Sequence, residues 1–192
     1  MRKALNKGTY DGYLLLNDDT NVYPNLFGQL NLTESLCETN YGKKGIYIGS
    51  TQDPISKKLS YGGAVITNKW LYKFKKRIPN GEIQSCELGN ANILYSSKEV
   101  VDKIGTLSDG YKHGIADFDY TLRAVKQNIP VMVMPDFNGT CENDHRSMYH
   151  NFENKPLKQR IEYLYHPLGV DFSSRLKFMW RFFPYRYPFF FW

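Results

Sequence analysis

The chain has 192 residues, a formal net charge of +6 and a sequence pI of about 9.1. Hydrophobic residues make up 42% and charged residues 23%, which is the ordinary composition of a single globular domain. No run of about 18 apolar residues is present, so no membrane-spanning helix is expected. Three widely spaced cysteines argue against a disulfide framework and a zinc site, and a reducing cytosol is the simplest setting for them.

Apolar runs alternate with amphipathic segments along the first 140 residues. The predicted strands are 13–16, 46–49, 61–66, 92–95 and 131–134, the last ended by Pro135. The predicted helices are 1–8 ending at Gly8, a segment from Pro24 to about Cys37, 97–104 capped by Ser97, and 115–127. Segment 67–85 is polar and basic and is expected to be a surface excursion. This alternation predicts an α/β fold with a largely parallel, doubly wound sheet, followed by helices after about residue 145.

An acidic turn, Asn17-Asp18-Asp19-Thr20, follows the first predicted strand. In open α/β sheets, ligands bind beyond the carboxyl ends of the strands. Adjacent carboxylates at such a place favour a hard divalent ion, Mg²⁺ or Mn²⁺. The alternative is a polar turn that caps the next helix, since Asp and Thr are good N-cap residues.

A second acidic cluster lies at the start of the predicted helix 115–127. Asp119 and Arg123 are one helical turn apart and are expected to pair, which leaves Asp117 as a candidate general base. The alternative is a capping aspartate and an exposed ion pair. His145 follows the last predicted strand and is a candidate metal ligand or phosphate contact at the same sheet edge.

The last residues, 176–192, mix aromatic with basic side chains. This composition is typical of a peripheral membrane contact, and it equally fits an internal cover packed on the sheet. Prolines at 184 and 188 break any long helix. The positive charge also allows nucleic acid as a partner, but nucleic-acid binding is not expected.

Four sequence blocks, in order, resemble family 2 glycosyltransferases with the GT-A fold. They are 13–20, with the aspartate-rich motif, 89–96, 100–107 and 116–123. Segment 159–169 is similar to the tail of bacterial members that build cell-surface polysaccharides. The resemblance implies inverting transfer from a nucleotide-diphosphate sugar to a hydroxyl of a glycan or lipid-linked acceptor, with Mg²⁺ or Mn²⁺ as cofactor.

The resemblance also assigns roles to individual residues. It implies Asp117 as the catalytic base. The implied metal ligands are Asp19, Asp18 and His145. Asn17 and Asp18 would face the donor phosphates, and the implied acceptor-binding residues are Gly89, Asn90, Asp119 and Arg123.

The chain departs from the family pattern in three ways. Asn17 and Ala116 stand where many relatives carry acidic residues. The chain also lacks the first βα units, which suggests a truncated or misplaced start, or a sheet completed by another copy. The expected organisation is a partial GT-A domain over 1–145 and a helical, basic-aromatic extension over 146–192. The expected location is cytoplasmic, with the tail at the inner face of the membrane. The alternative is a non-catalytic membrane-peripheral or scaffold fragment of such an enzyme.

Overall fold

The structure, a computed structural model, describes residues 1–112, 114–143, 154–166 and 169–186. The helices are α1 Arg2–Leu5, α2 Leu26–Tyr41, α3 Lys98–Ile104, α4 Ala116–Lys126, α5 Leu157–Tyr165 and α6 Phe172–Phe182. The strands are β1 Gly12–Leu16, β2 Asn21–Val22, β3 Ile46–Gln52, β4 Leu59–Tyr61, β5 Gly63–Asn68, β6 Lys73–Lys76, β7 Gln84–Ser85, β8 Leu88–Gly89, β9 Ile93–Ser97 and β10 Val131–Thr140. Within these ranges no helix has the length and apolar character needed to cross a bilayer.

A seven-stranded mixed sheet forms the centre of the fold. Its main path is β1-β9-β3-β10-β2, with β4 beside β3 and β7 beside β10. Among the described strands only β3 and β10 pair in parallel, and all other pairings are antiparallel. The mixed α/β class is confirmed, whereas the prediction of a largely parallel sheet is wrong. Short apolar runs indicate that a strand is buried but carry no information about its direction.

Helices cover both faces of this sheet. Side chains alternate along a strand, so Val133 and Met134 of β10 point to opposite faces. Val133 belongs to the core that α3 and α4 cover, together with Tyr120. Met134 belongs to the core under α2, together with Leu26. The fold is therefore a three-layered arrangement in which α2 lies on one face and α3 and α4 lie on the other.

A second, three-stranded sheet has the order β6-β5-β8. The predicted strand 61–66 is divided at Gly62 between β4 and β5. The predicted surface excursion 67–85 is exposed, but it contains β6, which pairs antiparallel with β5, and β7. The sequence prediction missed β6 because its aromatic residues alternate with lysines in a short segment that is basic throughout.

Strand β10 does not stop at Pro135, as predicted, but continues to Thr140. Its register with β3 shifts between Val133 and Phe137. Gln29 of α2 fills this irregularity: its Oε1 accepts from the Asp136 backbone N–H at 3.1 Å and from Asn138 Nδ2 at 2.9 Å. Pro135 is tolerated in the strand because the Gln29 side chain, rather than β3, accepts the hydrogen bond of the next backbone N–H, that of Asp136.

Two helix ends differ from the prediction. Helix α1 ends at Leu5 with Asn6 as its C-cap, so Gly8 is not the cap. Helix α2 continues beyond Cys37 to Tyr41 and ends at Gly42. Gly42 has φ +65°, a left-handed conformation that glycine adopts without a steric penalty.

The predicted N-cap of α3 is confirmed. Ser97 Oγ accepts a hydrogen bond from the Val100 N–H at 3.4 Å, and the side chain is fully buried. We expect Ser97→Ala to lower the free energy of unfolding by about 1 kcal/mol, because one amide at the helix start loses its acceptor. Chemical denaturation measures this change, with Ser85→Ala, at an exposed position in β7, as the matched control. Equal midpoints for the two variants would show that the cap contributes nothing.

Helix α6 packs on the sheet domain rather than standing apart from it. Phe178, Met179 and Phe183 are buried in one cluster with Leu88 and Leu122. These three residues therefore form an internal cover on the sheet, which was one of the two interpretations of the aromatic tail. Residues 187–192 of the aromatic tail lie outside the described residues.

Candidate functional site

Asp117, in the first turn of α4, is a half-buried carboxylate with three amide donors around it. Its Oδ2 accepts from the Ala91 backbone N–H at 3.1 Å and from Asn90 Nδ2 at 3.5 Å. Its Oδ1 accepts from the Phe118 N–H at 2.8 Å. Burial raises the pKa of Asp117 above the ordinary aspartate value, although these amides act in the opposite direction. The result is an oriented carboxylate that binds a proton more readily than an exposed aspartate.

The loop 89–92 supplies most of this environment. Asn90 Oδ1 accepts from the Gly62 N–H at 3.4 Å, which fixes the amide that faces Asp117. Gly89 is buried and its N–H donates to Thr121 Oγ1 at 3.2 Å. A Cβ at Gly89 would lie 2.4 Å from a methyl carbon of Ile48. Gly89 therefore permits close packing under the loop, and its contact with an acceptor stays a prediction.

The acidic turn after β1 is confirmed as a turn at the end of that strand. Asn17 anchors it: its N–H donates to Asn92 O at 3.2 Å, and its carbonyl accepts from the Thr20 N–H at 3.2 Å. The side chains of Asn17, Asp18 and Asp19 are exposed. Of the two aspartates, Asp19 lines a cavity of about 260 Å³, whereas Asp18 does not. The other lining residues are Asn21, Pro54, Thr140, Cys141 and Glu142.

Cys141, just after β10, connects this cavity to the loop 89–92. The Cys141 thiol lies 3.5 Å from Asp19 Oδ2, and Asn92 Nδ2 donates to Cys141 Sγ at 3.3 Å. Burial and the charge of Asp19 raise the pKa of Cys141 to about 11, so the thiol is protonated at neutral pH and donates to the carboxylate. Asp19 and Asp117 are therefore both connected to the loop 89–92. Asp19 is connected through the Cys141 thiol, which contacts Asn92, and Asp117 is connected through the Ala91 N–H.

The oxygen donors around this cavity suit a hard divalent ion. Within the described ranges no group of three or more His, Cys, Asp or Glu residues is arranged to hold a metal. Mg²⁺ and Mn²⁺ do not need such a cage, because one or two carboxylates together with substrate phosphates suffice. Asp19 and Glu142 supply two carboxylates at one cavity. His145, the predicted third ligand, lies outside the described residues.

Asp119 is fully buried and joins α4 to α6 and to the loop between α3 and α4. Its oxygens accept from Arg123 Nε at 2.9 Å, from Arg181 Nη1 at 2.8 and 3.2 Å, from the Tyr111 hydroxyl at 2.9 Å and from the Ser108 hydroxyl at 3.1 Å. The predicted Asp119–Arg123 pair is confirmed, but the alternative of an exposed pair is wrong. A carboxylate without exposed surface has a structural role in this cluster, and the acceptor contact stays a prediction that this burial does not favour.

The guanidinium of Arg123 forms hydrogen bonds to three groups inside the protein, and its side chain is 13% exposed. Beyond Asp119, its guanidinium donates to the carbonyls of Ile104 and Thr106, the latter at 2.6 Å. These bonds attach α4 to the end of α3 and to the loop that follows it. Arg123 therefore shapes the loop between α3 and α4, and its direct contact with an acceptor stays a prediction.

The sequence prediction missed several residues of this region. Glu142 is three positions before His145 in the sequence, but a single acidic residue after a strand carries no signal. Cys141 and Asn92 were missed because their partners are distant in sequence. The role of Arg181 could not be predicted from the sequence, because its carboxylate partner, Asp119, lies 62 positions earlier.

Comparison with the models of known protein families and with curated protein sequences finds no match. The functional assignment of this chain therefore depends on its own residues and their geometry.

Proposed function

We propose that this chain is a metal-dependent inverting glycosyltransferase. It would transfer a sugar from a nucleotide-diphosphate sugar to a hydroxyl of a glycan or lipid-linked acceptor, in the synthesis of cell-surface polysaccharide. A GT-A-like, Rossmann-like arrangement of the mixed sheet belongs to the same proposal. The observation that carries it is the oriented carboxylate of Asp117, held by Ala91 and Asn90 across one loop from the acidic turn.

Asp117 is suited to accept the proton of the attacking hydroxyl. In a single displacement, a bond forms between the acceptor oxygen and the anomeric carbon, and the bond from that carbon to the diphosphate oxygen breaks. The hydroxyl proton passes to Asp117, and the electron pair of the broken bond leaves with the nucleoside diphosphate. A carboxylate whose pKa is raised by burial takes up this proton more readily than an ordinary one.

The acidic cavity is the proposed place for the diphosphate end of the donor. Asp19 and Glu142 would hold Mg²⁺ or Mn²⁺, and the bound ion would neutralise charge on the leaving diphosphate. Asn17 and Asp18, exposed on the same turn, remain candidates for contacts with the donor. Asn90, which is only partly buried, remains a candidate for contact with the acceptor.

The direct test is release of nucleoside diphosphate from a panel of nucleotide-diphosphate sugars, with Mn²⁺ and with glycan or lipid-linked acceptors. We expect turnover that stops when the metal is chelated. Turnover that continues without divalent ions would contradict the metal part of the proposal. No turnover with any donor would favour the alternative, a non-catalytic scaffold or membrane-peripheral relative on the cytoplasmic side.

Asp19→Asn is expected to weaken Mn²⁺ binding by about tenfold or more, because the cavity loses one of its two carboxylates. Titration of free Mn²⁺ by electron paramagnetic resonance measures the affinity without any substrate. Asp18→Asn, one residue earlier and outside the cavity lining, is the matched control and should bind Mn²⁺ nearly as well as the unchanged protein. If Asp18→Asn has the larger effect, the assignment of the two aspartates must be reversed.

A further inference from the structure

The hairpin formed by β5 and β6 presents two large apolar side chains at its tip. Trp70 is 71% exposed and Leu71 is 56% exposed, both in the four-residue turn 69–72. Adjacent exposed apolar side chains of this size suggest a binding surface. The tip therefore requires an explanation apart from the glycosyltransferase proposal.

The fold holds this tip in a fixed and strained position. Tyr72 has φ +48°, a left-handed conformation that costs energy for a bulky residue. The Leu71 N–H donates to Asn68 Oδ1 at 2.9 Å, and the Tyr72 N–H donates to Lys69 O at 3.3 Å. Strain that is kept in place by local hydrogen bonds is typical of functional turns.

Helix α6 and the residues after it support the tip from behind. The Tyr185 ring lies 4.6 Å from the Trp70 ring, and its hydroxyl donates to Lys69 O at 2.8 Å. Tyr72 points inward and contacts the rings of Phe178 and Phe183 at 5.8 and 4.9 Å. The inner side of the hairpin is thus anchored, while Trp70 and Leu71 stay outside.

The hairpin is also strongly and uniformly basic. Segment 67–77 contains five lysine or arginine residues and no acidic residue. Lys73 and Lys75 are exposed and alternate along β6 with Phe74, which faces the aromatic rings of Tyr72 and Phe118.

We propose that the β5–β6 hairpin binds an anionic lipid surface, with Trp70 and Leu71 inserted at the interface and Lys73 and Lys75 on the headgroups. Tryptophan prefers the boundary between headgroups and acyl chains, and basic residues beside it attract anionic lipids. An exposed leucine beside the tryptophan fits a lipid surface better than nucleic acid, which proteins bind through cations and stacking aromatic rings. Phe74 of β6 contacts the ring of Phe118, the residue after Asp117, at 6.5 Å, so a membrane at this hairpin would lie on the side of the molecule that carries Asp117.

Vesicle co-sedimentation of the full chain tests this proposal. We expect binding to mixed phosphatidylcholine–phosphatidylglycerol vesicles and much weaker binding to phosphatidylcholine alone. The double variant Trp70→Ala, Leu71→Ala should lower the partition coefficient by about tenfold or more. The double variant Lys73→Glu, Lys75→Glu should have an effect of similar size that disappears at high salt.

Matched controls lie elsewhere on the molecule. Phe27→Ala with Leu32→Ala removes two exposed apolar side chains of α2, on the opposite face of the main sheet. Lys7→Glu with Lys43→Glu makes the same change of charge at two other exposed lysines. The first control should bind like the unchanged protein, and the second should lose clearly less binding than the hairpin charge variant. Equal losses in the hairpin and control variants would overturn the proposal.

A fluorescence measurement separates insertion from an indirect effect on folding. In the variant Trp180→Phe, Trp192→Phe, the remaining tryptophan is Trp70. We expect its emission to shift to shorter wavelength on vesicles and to be quenched by brominated lipid. Sedimentation with vesicles but without quenching of Trp70 would show that another surface binds. Binding to single-stranded DNA with no binding to vesicles would replace the lipid proposal with a nucleic-acid one.

Discussion

Asp117→Asn is expected to lower the rate of sugar transfer by about a hundredfold to ten-thousandfold, which is the usual contribution of a general base. The asparagine side chain keeps the size of aspartate and an acceptor for the Phe118 N–H, but it cannot take a proton from the acceptor hydroxyl. Release of nucleoside diphosphate in the presence of acceptor measures the loss. Mn²⁺ affinity serves as the control property, because Asp117 does not line the acidic cavity.

The pH dependence of kcat/KM provides a second signature of Asp117. The base must be deprotonated to act, and burial raises its pKa. Activity should therefore fall with decreasing pH at a midpoint above about 4, the value of an ordinary aspartate. This acidic limb should be absent from the residual activity of Asp117→Asn. Full activity in that variant, or an unchanged acidic limb, would remove Asp117 from the mechanism.

Asp119→Asn is expected to be the most destabilising of the substitutions considered, with a loss of about 3–5 kcal/mol in the free energy of unfolding. The fully buried carboxylate faces two guanidinium groups, Arg123 and Arg181, at 2.8–2.9 Å. A neutral amide would leave both cations partly buried without a counter-charge. Equilibrium unfolding in urea measures the change.

The matched control for this prediction is Asp109→Asn. Asp109 pairs with Arg2 at 2.8 Å, but both side chains are exposed, so the pair is screened by solvent. We expect its unfolding midpoint to stay close to that of the unchanged protein. If Asp119→Asn unfolds at the same denaturant concentration as Asp109→Asn, the buried cluster does not hold α4 and α6 together.

The local features of the fold were predictable from the sequence, because local interactions determine them. The strand before the acidic turn, the Ser97 cap and the Asp119–Arg123 pair each depend on residues within a few positions of one another. The spacing of apolar and capping residues is enough to locate such features.

Features that depend on pairing between distant segments were not predictable. The antiparallel direction of β1 and β9 is decided by the whole sheet, not by the run Tyr13 to Leu16. Pro135 looks like a strand end until Gln29 is placed against it. The candidate site shows the same contrast. The two acidic motifs were found from the sequence, whereas the close packing at Gly89 and the burial of Asp119 were not.

The separation of these contacts along the chain also sets the order in which the site forms. Ala91 and Asp117 are 26 positions apart, whereas Asp19 and Cys141 are 122 apart and Gln29 and Asp136 are 107 apart. Closing a longer loop costs more chain entropy, and distant contacts form late. The surroundings of Asp117 should therefore mature early during folding. The acidic cavity should form only when the last strand docks, later than the surroundings of Asp117.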